Sequence, residues 1–139
     1  LTCQDEAHEG SIIAHVWQQA RQRTIVTFNG RGFDLPYLIQ RSRYLHVPYP
    51  TLDLRPYGGG QGNIDLYLEL TFGRKDTPCM RTSLHAFCRR VGIPHDDTVT
   101  GADIGKLVQA GDWSAIEAHC RVDVVATLAL ARWMGVIAS

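Results

Sequence analysis

The sequence predicts an α/β fold that is helix-rich in its C-terminal half. Three observations carry that expectation. A β-branched run, Thr24-Ile25-Val26-Thr27-Phe28, stands between two segments of helical periodicity and closes on Asn29-Gly30. Beyond Ser83 the apolar residues recur at helical spacing between glycine and proline stops. The 139 residues are 45% hydrophobic and 20% charged, enough for one domain with a buried core and against long disorder. Residues 1–139 are therefore expected to form a single domain.

The elements follow in order. Glu6 to Arg21 places Ile12, Ile13, Val16, Trp17 and Ala20 on or near one face, an amphipathic helix. The run Thr24–Phe28 reads as a strand buried on both faces. Asp34-Leu35-Pro36 opens a second helix, through about Arg43. Asp34 is its expected N-cap, and Pro36 is tolerated in the first turn, where its missing N–H would have no partner. Residues 46–63 are rich in proline and glycine and end in Gly58-Gly59-Gly60-Gln61-Gly62. They form a loop, with a short extended piece expected at Thr51–Leu54. That glycine cluster lacks the spacing and the lysine of a phosphate-cradling loop. Ile64–Leu70 fits strand or helix. Ser83 caps a helix through Val91, stopped by Gly92 and Pro94. Thr100–Gln109 is a short helix ended by Gly111, and Asp112 caps a long one running to Met134, with Gly135 as its stop. One strand, one or two further candidate strands and five helices result.

Composition excludes several functions. Fourteen basic and fourteen acidic residues give no net charge, which argues against a protein that coats DNA but leaves room for one that handles nucleic acid in a cleft. All the basic residues except Lys75 and Lys106 are arginine, the side chain suited to forked contacts with phosphate or carboxylate. The longest apolar stretch, Val122–Ala131, is interrupted by Asp123 and Thr127, so no membrane association is expected. No basic-then-apolar leader opens the chain, and a cytoplasmic location is expected. Cys3, Cys79, Cys88 and Cys120 form no Cys-x-x-Cys pair. A zinc site scattered over His85, Cys88, His119 and Cys120 therefore lacks the usual spacing, and buried reduced thiols are expected.

Two carboxylates stand out. On a wheel of 3.6 residues per turn, Ile116, His119, Cys120, Thr127, Leu130 and Met134 fall within about 60° of Asp123. Asp123 thus occupies the middle of an apolar stripe, one turn after His119. A carboxylate there needs an arginine, a backbone amide or a metal as partner. Asp34 follows the strand and the turn Asn29-Gly30-Arg31-Gly32-Phe33. Local evidence favours a helix cap; the functional reading is a carboxylate at the C-terminal edge of a sheet, where α/β proteins place their sites.

Asn29-Gly30-Arg31-Gly32-Phe33-Asp34 resembles the second motif, Asn-x-x-x-Phe-Asp, of the DEDD superfamily of 3′–5′ exonucleases. It is most similar to the proofreading domain of family-B DNA polymerases and its stand-alone bacterial relatives. His119-Cys120-Arg121-Val122-Asp123 resembles the third motif, Tyr-x-x-x-Asp. Asn63-Ile64-Asp65-Leu66, Ser83-Leu84 and Gly101-Ala102-Asp103 also fit the stand-alone group, so the resemblance spans about Thr24 to Trp133. It implies an RNase H-like fold and two divalent ions, Mg²⁺ or Mn²⁺, with Asp34 and Asp123 as metal-site carboxylates. Asn29, Arg31 and Phe33 are then expected to shape the site or touch the substrate, single-stranded DNA or a free 3′ end, with RNA an alternative. The implied chemistry is phosphodiester hydrolysis. One ion lowers the pKa of the attacking water, and both stabilise charge on the phosphate and the leaving oxygen.

Two departures from that family matter. His119 stands where the family has its water-positioning Tyr; an imidazole there either accepts a proton from water or is a neutral substitution in a weakened site. The first motif, Asp-x-Glu, occurs nowhere in the 139 residues; Asp5 and Glu6 are adjacent and helical in pattern. The expectation is a chain that starts after the first strands of its fold, a fragment inactive without that motif. The alternative is a catalytically silent RNase H-like module that binds nucleic acid or a partner protein.

Overall fold

The computed structural model describes residues 6–55, 62–73, 82–95 and 99–138. They belong to two compact units, Leu1–Met80 and Arg81–Ser139.

The first unit runs α1 (Glu6–Ala20), β1 (Ile25–Thr27), α2 (Asp34–Tyr44), β2 (Asn63–Asp65) and α3 (Leu66–Leu70). β1 and β2 pair in parallel, with Ile25 opposite Asn63 and Thr27 opposite Asp65. Parallel strands cannot be joined by a tight hairpin, and the stretch containing α2 supplies the crossover. The core forms where Ile13 and Trp17 of α1 meet Leu35 of α2, with Ile25, Leu38, Val47 and Leu52 packed against them. Trp17 carries a polar N–H into this core. It donates to Ser42 Oγ at 2.7 Å, and Ser42 donates in turn to the Leu38 carbonyl at 2.7 Å. Arg41 grips Glu9 through both carboxylate oxygens, tying α2 to α1 and holding the Glu9 carboxyl below its usual range.

Several expectations change or sharpen here. β1 is half-buried at all three positions rather than buried on both faces. Among the described residues its sheet has two strands, and an apolar groove of about 270 Å³ lined by Trp17, Ile25 and Leu35 runs along it. Asp34 is the first residue of α2, not its cap; Phe33 holds the cap position with no side-chain bond. The Gly30 carbonyl already accepts from Phe33 N and Leu35 N, so main chain closes the helix entry and leaves the carboxylate unneeded there. Ile64–Leu70 is strand and helix in succession, because the Asp65 side chain accepts from Tyr67 N and Leu68 N and caps α3. Residues 51–54 are not strand. Gly58, Gly59, Gly60 and Gln61 lie outside the described residues.

The second unit is helical: α4 (Leu84–Arg90), α5 (Ile104–Ala110) and α6 (Trp113–Trp133). Ser83 and Asp112 cap α4 and α6 as expected, accepting from Ala86 N and Ala115 N. Gly111 ends α5 at φ +69°, the left-handed geometry that glycine adopts without steric cost. α5 starts later than its sequence pattern suggests, because Thr100 donates its N–H and hydroxyl to Asp103 and forms a turn instead. α4 and α5 both pack on α6, which buries Ala126, Leu130 and Ala131. Six helices stand among the described residues where five are expected, the short α3 being the addition. Among the described residues the chain is helix-rich with one small parallel sheet, compatible with the α/β character of the sequence.

Candidate functional site

The turn that carries Asn29, Arg31, Phe33 and Asp34 hangs on one buried carboxylate. Asp65 is 1% exposed. Its Oδ1 accepts from Asn29 N at 2.8 Å and its Oδ2 from Arg31 N at 2.9 Å, while Oδ1 also caps α3. An ionised carboxylate accepting several backbone N–H groups makes strong, directional bonds, so β2 fixes the path of the chain leaving β1. Asn29 takes the left-handed conformation, φ 62°, which asparagine tolerates better than most residues. Gly30 passes so close to Thr27 that an added Cβ would lie 2.4 Å from its side chain.

This turn divides the expected substrate residues. Asn29 shapes the backbone. Arg31 is 8% exposed. Its Nε donates to Asn63 Oδ1, and its terminal nitrogens donate to the carbonyls of Arg55 and Asn63, both at 3.0 Å. The guanidinium thus ties the 53–55 loop to β2. Beside it, the Asp53 carboxyl is held down at about 2, mainly by Arg55. Phe33 is 68% exposed and presents its ring to solvent next to Asp34. Asp34 itself is exposed as a residue, yet its carboxyl lies against protein that strips part of its hydration. That desolvation, joined by the nearby negative charge of Asp65, raises its pKa above the ordinary carboxylate value.

Asp123 is positioned by the second unit. It lines a cavity of about 420 Å³ together with Ser83, His85, His95, Thr100 and His119. His95 Nε2 lies 2.9 Å from Asp123 Oδ1, and His119 Nε2 lies 3.9 Å from Oδ2. His85 Nδ1 is 3.3 Å from His95 Nδ1. The carboxylate that the apolar stripe singled out therefore sits between two imidazoles. His119 shares its face as expected, but Cys120 points outward and is exposed. Cys88 is buried, and burial together with the Asp123 charge pushes its thiol up, away from reactive thiolate. Cys3 and Cys79 fall outside the described residues. Asp34 and Asp123 belong to different units.

The RNase H superfamily profile matches residues 2–135, nearly the whole chain. The chain belongs to the RNase H superfamily. That membership brings nuclease character and nucleic acid as the partner class. No curated protein and no solved structure matches the chain. Among the described residues no helix is long and apolar enough to cross a membrane.

Sequence reasoning missed two residues. His95 follows the Gly92-Ile93-Pro94 stop of α4, and its only sequence signal is a histidine beside a chain reversal. Asp65, which the sequence offers only within the Asn63-Ile64-Asp65-Leu66 likeness, carries the turn through long-range hydrogen bonds.

A hard divalent ion suits the chemistry of Asp34 and Asp123, which offer carboxylate oxygens. Asp123 Oδ1 takes the His95 contact at 2.9 Å, whereas the His119 ring lies farther from Oδ2, at 3.9 Å. Among the described residues no three His, Cys, Asp or Glu side chains gather around one ion position.

Proposed function

We propose that this chain is part of a metal-dependent 3′–5′ exonuclease acting on single-stranded DNA ends, with Asp34 and Asp123 among its metal ligands. The observation that carries the reading is the Asp123 cavity. A carboxylate on α6 stands one turn after His119, in the order and spacing of the exonuclease third motif, within a chain of the RNase H superfamily. Asp34 supports it by its own motif, Asn29 to Asp34, on a turn that β2 holds in place.

Mg²⁺ or Mn²⁺ bound there would activate water and stabilise charge on the scissile phosphate. The chain's own residues supply the rest. Asp34 and Asp123 offer hard oxygen ligands. His119 receives a proton from water. Phe33, exposed beside Asp34, offers a ring on which a terminal base stacks.

The test uses the full-length gene product with a 5′-labelled single-stranded oligonucleotide and Mg²⁺ or Mn²⁺. Stepwise shortening from a free 3′ end is expected, with loss of activity in Asp34→Asn and in Asp123→Asn. Full activity in either variant, or equal cleavage of a circular strand, would sink the reading. A second reading has its own observation, the lack of any Asp-x-Glu in the chain. It makes this an RNase H-like module that binds nucleic acid without cutting it, and binding with no metal-dependent hydrolysis would favour it.

A further inference from the structure

We propose that His95 is a positioning residue for Asp123, donating Nε2–H to Oδ1 so that Oδ2 is the oxygen left for a divalent cation. The inference rests on Asp123 serving as a metal-site carboxylate. The contact is 2.9 Å, the length of a charge-assisted hydrogen bond. The two partners differ in burial. The His95 side chain is 8% exposed and that of Asp123 is 43% exposed. The imidazole is thus the enclosed, fixed member, and the carboxylate is the one open to a ligand.

The backbone leading into His95 is fixed. Gly92 reverses the chain at φ +73° after α4, Ile93 N donates to the Cys88 carbonyl at 2.9 Å, and Pro94 restricts the residue before His95. The proton order follows from chemistry. An ionised carboxylate only accepts, so Nε2 of His95 carries the hydrogen. In the neutral ring Nδ1 then accepts, and the facing Nδ1 of His85, 3.3 Å away with the rings edge-to-face, is its donor. His85, His95 and Asp123 form a chain of hydrogen bonds running from α4 to α6. Ligating carboxylates held this way lose one rotational freedom and one competing oxygen.

A plain structural clip between α4 and α6 would affect melting temperature and leave metal affinity alone, and the experiment separates the two. The probe is Mn²⁺ alone, titrated calorimetrically into the full-length protein without nucleic acid. His95→Leu is expected to weaken Mn²⁺ binding by about 10- to 100-fold. His95→Gln, whose amide N–H reaches the same position, should restore most of that loss, while His85→Ala costs less than His95→Leu. Ring ¹⁵N spectra of the metal-free protein should show His95 protonated at Nε2, with that signal displaced in Asp123→Asn.

Wild-type Mn²⁺ affinity in His95→Leu, with affinity lost in Asp123→Asn, overturns the positioning role and leaves Asp123 as ligand. Unchanged affinity in Asp123→Asn overturns the ligand reading and this inference with it. If His95→Leu does not fold, His95→Gln against the shorter His95→Asn decides: equal affinities refute the proposal. A His95 ring protonated at Nδ1 alone refutes it whatever the metal data.

Discussion

Replacing Asp65 tests whether one buried side chain holds the candidate loop in place. In Asp65→Ala the N–H groups of Asn29, Arg31 and Tyr67 lose an acceptor at 2.8, 2.9 and 3.1 Å, and the cap of α3 goes with them. A bond to a charged acceptor contributes about 1.5–3 kcal/mol net, which sets an upper sum of about 5–9 kcal/mol. Against this, removing the carboxylate relieves the cost of keeping a charge out of water, itself several kcal/mol. A loss of about 3–5 kcal/mol is expected, a large part of the roughly 5–15 kcal/mol that stabilises an ordinary domain. Asp65→Asn keeps one acceptor oxygen but turns an NH₂ toward the other donors, so it should fall between wild type and alanine. Urea unfolding reads the shift in midpoint. Amide exchange at Asn29 and Arg31 shows whether the loop loosens before the rest of the unit. A loss below about 1 kcal/mol in Asp65→Ala, with both amides still protected, would refute the anchoring role.

Gly30→Ala forces a methyl to within 2.4 Å of Thr27, and the backbone must move. A destabilisation of about 1–3 kcal/mol is expected by thermal or urea melting, and an unchanged midpoint would show that the turn yields freely. Ser42→Ala strands the Trp17 indole N–H, now bonded at 2.7 Å, and should cost about 1–3 kcal/mol, read in the same way. Asp34 has its carboxyl pKa raised in the folded state, so the folded chain favours its neutral form. That contribution is present below the unfolded pKa and is lost as pH rises through the folded one. Asp34→Asn should therefore be more stable than wild type at neutral pH and lose that advantage in acid; a variant less stable at neutral pH would contradict the desolvation argument. Asp123→Asn should abolish hydrolysis by the full-length protein while the melting temperature moves little, since an amide oxygen still accepts from His95.

Local rules made much of the fold legible from residues alone. Ser83 and Asp112 are caps because their short side chains reach a free N–H at a helix start. Gly111 ends α5 because a left-handed residue is cheapest without a Cβ. The 3.6-residue period placed His119 and Asp123 on one face of α6 before any neighbour was known. Membership of the RNase H superfamily was legible at the same level, since the motifs are read along the chain in order. What no local rule reaches is the set of partners across the chain. Asp65 is 36 residues from Asn29, and His95 is 28 from Asp123. Those bonds exist only because β2 pairs with β1 and because α4 packs on α6. For the same reason Asp34 reads as a cap by sequence, although main chain already fills that role. The burial of Arg31 likewise depends on β2 and the 53–55 loop closing over it. Propensity and periodicity are properties of neighbours in sequence. Hydrogen-bond satisfaction and desolvation are properties of neighbours in space, and only the tertiary structure decides those.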